Sequence, residues 1–181
     1  MSLDDVGVEE DVEETGATFE ENAVIKATSY CRLSNLMTLA DDSGLEVDAL
    51  AGEPGVHSAR YAGDGASDDE RMALLLRNLR DRPTPWAARF RCVIAIASPD
   101  PSQRHGNSES VRTFDGNCAG EIVAEPRGDN GFGYDPLFFI PELGKTMAEL
   151  TTEEKNSTSH RSAAAALAAE ALRQGAVDEA S

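Results

Sequence analysis

The chain has 181 residues, a length that fits one domain with a substantial hydrophobic core. Its formal net charge of −17 argues against general nucleic-acid binding, because so acidic a surface repels a phosphate backbone. The sequence shows neither an apolar run of membrane-spanning length nor the basic and apolar regions of a signal peptide. Three cysteines without C-x-x-C spacing predict reduced thiols, and together these features predict a cytoplasmic protein.

The first part of the chain predicts one helix followed by two short strands. Thr18 and Glu21 have capping-box spacing, which predicts a helix that continues to about Ser34. The apolar run Leu36–Ala40 predicts a buried strand, and the alternating segment Leu45–Leu50 predicts a second strand.

The rest of the chain continues to alternate helices and strands. Ser67 and Glu70 form a second capping box, which begins a helix to about Arg80, and a strand is predicted near 88–98. The remaining predicted elements are strands at Ser110–Phe114, Glu121–Glu125 and Pro136–Ile140, and a helix at Ser162–Arg173 that ends before Gly175. This interleaving predicts the α/β class, with a mixed central sheet flanked by helices.

Two adjacent carboxylates, Asp41 and Asp42, follow the first predicted strand in the segment Ala40-Asp41-Asp42-Ser43-Gly44. Adjacent carboxylates repel each other and are costly to desolvate, and a hard divalent cation such as Mg²⁺ would offset both costs. The alternative interpretation is an Asx-type turn that ends the strand.

A glycine-rich segment with two aromatic residues runs from Gly128 to Asp135. Its glycines would let the backbone approach a ligand closely, and Phe132 and Tyr134 would offer faces for a planar base. Asp135 would accept hydrogen bonds from the edge of that base. The alternative is a glycine-rich turn whose two aromatic side chains anchor it in the core.

Cationic residues surround the predicted start of the last helix, at Lys155 and in Ser159-His160-Arg161. A helix N-terminus with added cations is suited to anions, although an exposed polar helix entry is the alternative. The sequence contains neither a Walker-type phosphate loop nor a G-x-S-x-G elbow, and its histidines (His57, His105, His160) lack metal-ligand spacing.

Taken together and in order, these segments resemble the inosine triphosphate pyrophosphatase family, of the bacterial dITP/XTP pyrophosphatase type. The resemblance runs from about residue 13 to 173 and is far more specific than any single motif. The matching stretches are 14–23 (ETGATFEENA), 40–45 (ADDSGL), 54–63 (PGVHSARYAG), 131–136 (GFGYDP), 148–155 (AELTTEEK) and 159–161 (SHR).

The resemblance implies an elongated, two-lobed fold with a nucleotide cleft, usually a homodimer. It implies Mg²⁺-dependent hydrolysis of ITP, dITP and XTP to the monophosphate and pyrophosphate, which keeps deaminated purines out of nucleic acids. Asp42 would be the general base and a metal ligand, with Asp41 and Glu14 supporting the metal. The residues implied to hold the nucleotide are Ser43, Phe132, Gly133, Tyr134, Asp135, Lys155, His160 and Arg161.

One departure from the family pattern concerns the N-terminus. The family normally opens with a strand and a phosphate-binding loop of the form [ST]-x-x-N-x-x-K. Residues 1–13 contain neither Asn nor Lys and are expected to be a loop or disordered. We therefore expect a single domain over 1–181 that lacks this first segment. Either the chain is a shortened form of an active enzyme, or it is a catalytically impaired nucleotide- or metal-binding member of the family.

Overall fold

The computed structural model describes residues 2–99 and 109–178, so His105 lies outside the described residues. The helices and strands of the described part confirm the α/β class. In chain order they are α1 (Phe19–Ser34), β1 (Thr38–Val47), α2 (Asp68–Leu79), β2 (Trp86–Pro99), β3 (Glu109–Ile122), β4 (Phe138–Ile140), β5 (Lys145–Thr146), α3 (Thr152–Thr158) and α4 (His160–Asp178). None of the described helices is long and apolar enough to cross a membrane.

The strands form a five-stranded sheet in the order β1-β2-β3-β4-β5, so strands that follow one another in the chain are neighbours in the sheet. β3 and β4 pair antiparallel, with Glu121 opposite Phe139. β4 and β5 also pair antiparallel, with Phe139 opposite Thr146. β1 therefore lies at one edge of the sheet.

The two predicted helix starts are confirmed by their capping boxes. The backbone N–H of Glu21 donates to Thr18 Oγ1 over 3.1 Å, and that of Glu70 donates to Ser67 Oγ over 3.3 Å. In each box the glutamate carboxylate also accepts from the backbone N–H of the capping residue. Both helices therefore begin where the sequence predicts, because the first-turn donors have partners.

Several predicted boundaries of strands and helices are wrong. The segments Leu36–Ala40 and Leu45–Leu50 are not separate strands, because β1 runs without interruption through Asp41-Asp42-Ser43-Gly44. A break there is unnecessary, since Asp42 has polar partners on α1 that are described below. The last helix continues past Gly175, to Asp178.

The predicted strand Ser110–Phe114 and the first two residues of the predicted strand Glu121–Glu125 also belong to one strand, β3, which ends at Ile122. The small residues in its middle are packing residues rather than turn residues. A side chain at Gly120 would lie 2.5 Å from the backbone oxygen of Phe139 and 2.7 Å from the ring of Phe138. Glycine at this position lets β4 approach closely.

The chain divides into two compact units, each built from separated stretches of sequence. Unit 1 comprises Met1–Asp42, Val93–Asp115 and Ala164–Ser181, and unit 2 comprises Ser43–Cys92 and Gly116–Ala163. Because both units are discontinuous, no linker marks them in the sequence, and β1 passes from one to the other between Asp42 and Ser43.

Each unit has its own buried side chains. In unit 1 the inner face of α1 is buried at Phe19, Ala23, Ala27 and Cys31, and Tyr30 is partly buried. In unit 2 a hydrophobic cluster joins α2 to the strands. Its largest fully buried members include Leu45, Leu75, Leu79, Leu137, Phe138 and Leu150. This cluster supports the loops that line the pocket described next.

Candidate active site

Unit 1 contains a cluster of charged side chains around Asp42. Lys26 Nζ lies 2.9 Å from Glu14 Oε1 and 3.3 Å from Asp42 Oδ1, so one ammonium group bridges the two carboxylates. Asn22 Nδ2 donates to the other oxygen of Asp42 over 3.1 Å. The side chain of Asp42 is 12% exposed, so both of its carboxylate oxygens are held with little access to water.

The charges in this cluster shift two pKa values. Burial raises the pKa of Asp42, and although Lys26 and the Asn22 hydrogen bond lower it, burial prevails and the pKa lies above its ordinary value. Burial lowers the pKa of Lys26, but the hydrogen bond from Lys26 to Glu14 and the nearby negative charges outweigh this effect and raise it. A carboxylate with a raised pKa and a fixed orientation has the properties of a general base.

Asn22 and Lys26 were not among the site residues predicted from the sequence. Asn22 is fully buried, and its Oδ1 accepts from the backbone N–H of Gly16 over 2.7 Å. Its amide is therefore held from one side while it donates to Asp42 on the other. The sequence contains one indication of their role. Asn22 and Lys26 are four residues apart and therefore lie on the same face of α1 as the apolar Phe19, and polar side chains on such a face need hydrogen-bond partners.

The three predicted metal ligands are not assembled into a ready-made cluster. Within residues 2–99 and 109–178, no group of three or more His, Cys, Asp or Glu side chains lies together as metal ligands do. Glu14 and Asp42 come together through Lys26, and Asp41 precedes Asp42 on β1. Two hard carboxylates still fit Mg²⁺, which commonly binds one or two protein carboxylates and completes its shell with water and substrate phosphates.

Unit 2 contains a pocket of about 170 Å³. A volume of this size exceeds the space needed by one water molecule several-fold, so the pocket has room for a small planar group. It is lined mainly by residues predicted to bind the nucleotide: Ser43, Phe132, Gly133, Tyr134, Asp135, His160 and Arg161. The side chains of Arg71 and Phe90, which the sequence did not single out, also line it.

The two aromatic residues of the glycine-rich loop have different roles in this pocket. Phe132 is 65% exposed, so its ring is available to a ligand. Tyr134 is 4% exposed, and its hydroxyl donates to the backbone oxygen of Ser58 over 3.0 Å. Tyr134 therefore anchors the loop in the core, which was the alternative interpretation of this residue, and Phe132 is the exposed aromatic ring.

Asp135 and Lys155 form a partly buried ion pair, with Lys155 Nζ 2.7 Å from Asp135 Oδ2. The same oxygen accepts from the backbone N–H of Phe132 over 3.3 Å. Gly131 lies directly beside this pair at φ +92°, where a Cβ would overlap both Asp135 Oδ2 and Lys155 Nζ. The glycine is thus required by backbone conformation and by space, and the pair fixes the carboxylate at the pocket wall.

His160 and Arg161 place polar groups on another wall. The ring of His160 is 6% exposed and stacks on Phe90, with centroids 4.9 Å apart and an interplanar angle of 17°. The guanidinium of Arg161 lies over the ring of Phe132, 5.6 Å from its centroid. A planar group entering beside Phe132 would therefore meet a cation and an imidazole, which are suitable donors to oxygen atoms at its edge.

Proteins with related sequences carry the names of nucleotide hydrolases. A protein of Staphylococcus epidermidis named dITP/XTP pyrophosphatase is 52% identical over 162 residues, which is 90% of this chain and 78% of that protein. A protein of Escherichia coli with the same name is 46% identical over 172 residues, which is 94% of this chain and 84% of that protein.

Solved structures agree with the sequence comparison. The Staphylococcus aureus Ham1 protein superposes with a TM-score of 0.88 at 43% identity, covering 97% of this chain and 86% of that one. A nucleoside-triphosphatase / dITP/XTP pyrophosphatase from Mycobacterium abscessus gives a TM-score of 0.76 at 44% identity, covering 93% and 82%. The sequence also matches the Ham1 family over residues 1–171. The chain therefore belongs to the Ham1 family.

Proposed function

We propose that this protein hydrolyses non-standard purine nucleoside triphosphates, namely ITP, dITP and XTP, to the monophosphate and pyrophosphate. The observation that carries the proposal is the pocket of unit 2, in which an exposed Phe132 lies beside His160, Arg161 and the Asp135–Lys155 pair. Such a pocket suits a planar base with oxygen at its edge. The names of the relatives point to the same substrates.

Asp42 is the general base of the proposed reaction. Its carboxylate is held by Asn22 and Lys26, and its pKa is raised mainly by burial. In this role it would accept a proton from the water molecule that attacks the α-phosphorus, so that the bond to the leaving pyrophosphate breaks as the new P–O bond forms. Ser43, the next residue of β1, would touch the substrate.

A divalent cation, Mg²⁺ by expectation, belongs to this proposal. Glu14 and Asp42 are the carboxylates that would hold it, with Asp41 in support. The cation would neutralise phosphate charge and favour departure of pyrophosphate. A local excess of positive charge is needed in any case, because the chain as a whole carries −17.

Base selection would depend on hydrogen bonds to the 6-keto group. His160 and Arg161 can donate to that oxygen, whereas the 6-amino group of adenine is itself a donor. A donor facing a donor leaves buried polar groups without partners, which costs about 1 to 3 kcal/mol for each group. A site built in this way rejects the wrong base strongly.

The alternative of a catalytically impaired family member is not favoured, because the carboxylate cluster and the pocket are both present in the described residues. A homodimer is a further expectation of the resemblance, and a cytoplasmic location is the expectation from the composition and the cysteines. Light scattering on the purified protein tests the first of these, with a mass near twice 19.3 kDa as the expected result.

The products decide the reaction type. Phosphorus NMR of ITP incubated with the protein and Mg²⁺ should show IMP and pyrophosphate in equal amounts. IDP with inorganic phosphate would instead indicate attack at the γ-phosphorus and would exclude the proposed reaction.

A further inference from the structure

The first residue of α2, Asp68, joins this helix to the aromatic loop of the pocket. Asp68 Oδ2 accepts from the backbone N–H of Gly133 over 2.6 Å. Its other oxygen accepts from a terminal nitrogen of Arg71, and the other terminal nitrogen of Arg71 donates to the backbone oxygen of Ala59. One carboxylate thus holds the loop 131–135 and is itself held by an arginine tied to the backbone.

This loop requires such a contact because its own conformation is weakly determined. Gly131 and Gly133 flank Phe132 and both have positive φ, at +92° and +62°. Glycine loses more conformational freedom on ordering than any other residue, so a loop built on two of them needs outside contacts to hold a single form. Phe132, 65% exposed, has little packing of its own to supply them.

The other side of the loop is already fixed. The hydroxyl of Tyr134 donates to the backbone oxygen of Ser58, whose own hydroxyl accepts from the backbone N–H of Leu45 over 2.9 Å. These contacts hold the buried end of the loop. On the side of Phe132 the backbone is held by two hydrogen bonds, from the Phe132 N–H to Asp135 over 3.3 Å and from the Gly133 N–H to Asp68 over 2.6 Å. The second is the shorter, and it is the one that ties the loop to α2.

Helix capping does not account for the position of Asp68. Ser67 and Glu70 already cap α2. Asp68 and the exposed Asp69 both lie in the first turn of α2, where negative charge stabilises a helix, so this effect does not distinguish Asp68 from its neighbour. The hydrogen bond from Gly133 holds the pKa of Asp68 below its ordinary value, with Arg71 adding to the effect. The carboxylate is therefore ionised, and a strong acceptor, at neutral pH.

We infer that Asp68 is a positioning residue of the base pocket, which fixes Phe132 by holding the Gly133 amide. This inference rests on the proposed function. Asp68 touches neither substrate nor reacting atoms in this account, so it acts on binding and on base selection. Loss of the contact loosens the ring that stacks on the base and weakens discrimination between ITP and ATP.

The test compares Asp68→Ala, Asp68→Asn and the control Asp69→Ala. Asp68→Ala should raise KM for ITP by about tenfold, because it removes an ionic hydrogen bond that is only partly screened, while kcat is unchanged. Asp68→Asn keeps an oxygen for the Gly133 amide and should recover much of the loss. The ratio of kcat/KM for ITP to kcat/KM for ATP should fall most in Asp68→Ala and less in Asp68→Asn. Asp69→Ala removes the same charge from the first turn and should match the wild type.

Amide hydrogen exchange supplies a readout that needs no substrate. Exchange in the peptide covering 131–135 should accelerate in Asp68→Ala and stay at the wild-type rate in Asp69→Ala. Unchanged exchange, or a KM and selectivity ratio like those of Asp69→Ala, would overturn the inference. Accelerated exchange in a protein whose wild type does not hydrolyse ITP would overturn the proposed function and leave Asp68 as the residue that holds the loop.

Discussion

Asn22 and Asp42, twenty residues apart in sequence, are joined by a hydrogen bond of 3.1 Å from the side-chain amide to the carboxylate. Asn22 is fully buried, and its amide oxygen is occupied by the backbone N–H of Gly16. The amide therefore cannot rotate without losing a partner, which fixes the direction from which Asp42 is held.

Replacing Asn22 with Ala should affect both stability and activity. Two partly buried partners, Asp42 and the Gly16 N–H, lose a hydrogen bond, so we expect a loss of about 1 to 3 kcal/mol in the free energy of unfolding. A less well oriented base should lower kcat on the order of 10- to 100-fold. Urea unfolding and steady-state kinetics measure the two effects. Asn78→Ala, at an exposed position of α2, is the control. Full activity in Asn22→Ala would refute the orienting role.

Lys26 should influence the pH below which activity is lost, through the pKa of Asp42. The base must be ionised, so kcat/KM should fall as the pH drops through the pKa of Asp42 in the free enzyme. Burial raises that pKa, and Lys26 lowers it in part. In Lys26→Met the lowering is lost, so the pKa rises further and the acidic limb should move to higher pH.

The pH profile of kcat/KM for ITP measures this shift. Lys145→Met is a suitable control, because Lys145 pairs with Glu154 in unit 2, with 2.6 Å between Nζ and Oε1. Its acidic limb should coincide with that of the wild type. A limb that stays in place or moves to lower pH in Lys26→Met would show that the lysine does not tune Asp42.

Gly131→Ala should weaken nucleotide binding. The added Cβ overlaps the carboxylate of Asp135 and the ammonium of Lys155, so the ion pair must separate. We expect KM for ITP to rise about tenfold or more, on the scale of a displaced binding group. Gly65→Ala also places a side chain at positive φ (+74°) but meets no atom within 4 Å, so it controls for backbone strain alone. Equal effects in the two variants would argue against a role for the ion pair.

Mg²⁺ should stabilise the folded protein through Glu14 and Asp42. A ligand that binds only the native state raises the melting temperature, by an amount that grows with its concentration. We expect Tm to rise with added Mg²⁺ in the wild type and to change little in a Glu14→Gln, Asp42→Asn double variant. Differential scanning calorimetry in matched ionic strength, with Na⁺ as the control, measures this. An equal rise in the double variant would place the cation elsewhere.

Local sequence patterns predicted the features of the fold that depend on residues close together in the chain. The capping boxes at Thr18 and Ser67 were predicted because they depend on residues three positions apart. The continuity of β1 through Asp41 and Asp42 was not predicted, because a pair of aspartates ordinarily marks a turn. The carboxylate of Asp42 has its partners on α1, at Asn22 and Lys26, and those partners are remote in sequence.

The residues of the candidate site also fall into two groups, those that sequence motifs identify and those that only contacts remote in sequence reveal. Phe132, Asp135, Lys155, His160 and Arg161 were singled out because they stand in recognisable motifs, and all but Lys155 line one pocket, with Lys155 paired to Asp135. Tyr134 was also singled out, but its burial depends on a hydroxyl contact with Ser58 that no motif reveals. The supporting contacts made by Asn22, Lys26 and Asp68 are equally non-local.

The proposed reaction is hydrolysis of deaminated purine triphosphates with Asp42 as the base. Pyrophosphate release from ITP, dITP, XTP and ATP in the presence of Mg²⁺, measured for the wild type and for Asp42→Asn, tests it most directly. We expect turnover of the first three substrates, little turnover of ATP, and a loss on the order of 10²-fold or more in the variant. A folded wild-type protein that releases no pyrophosphate from ITP, or a variant that retains full activity, would contradict it.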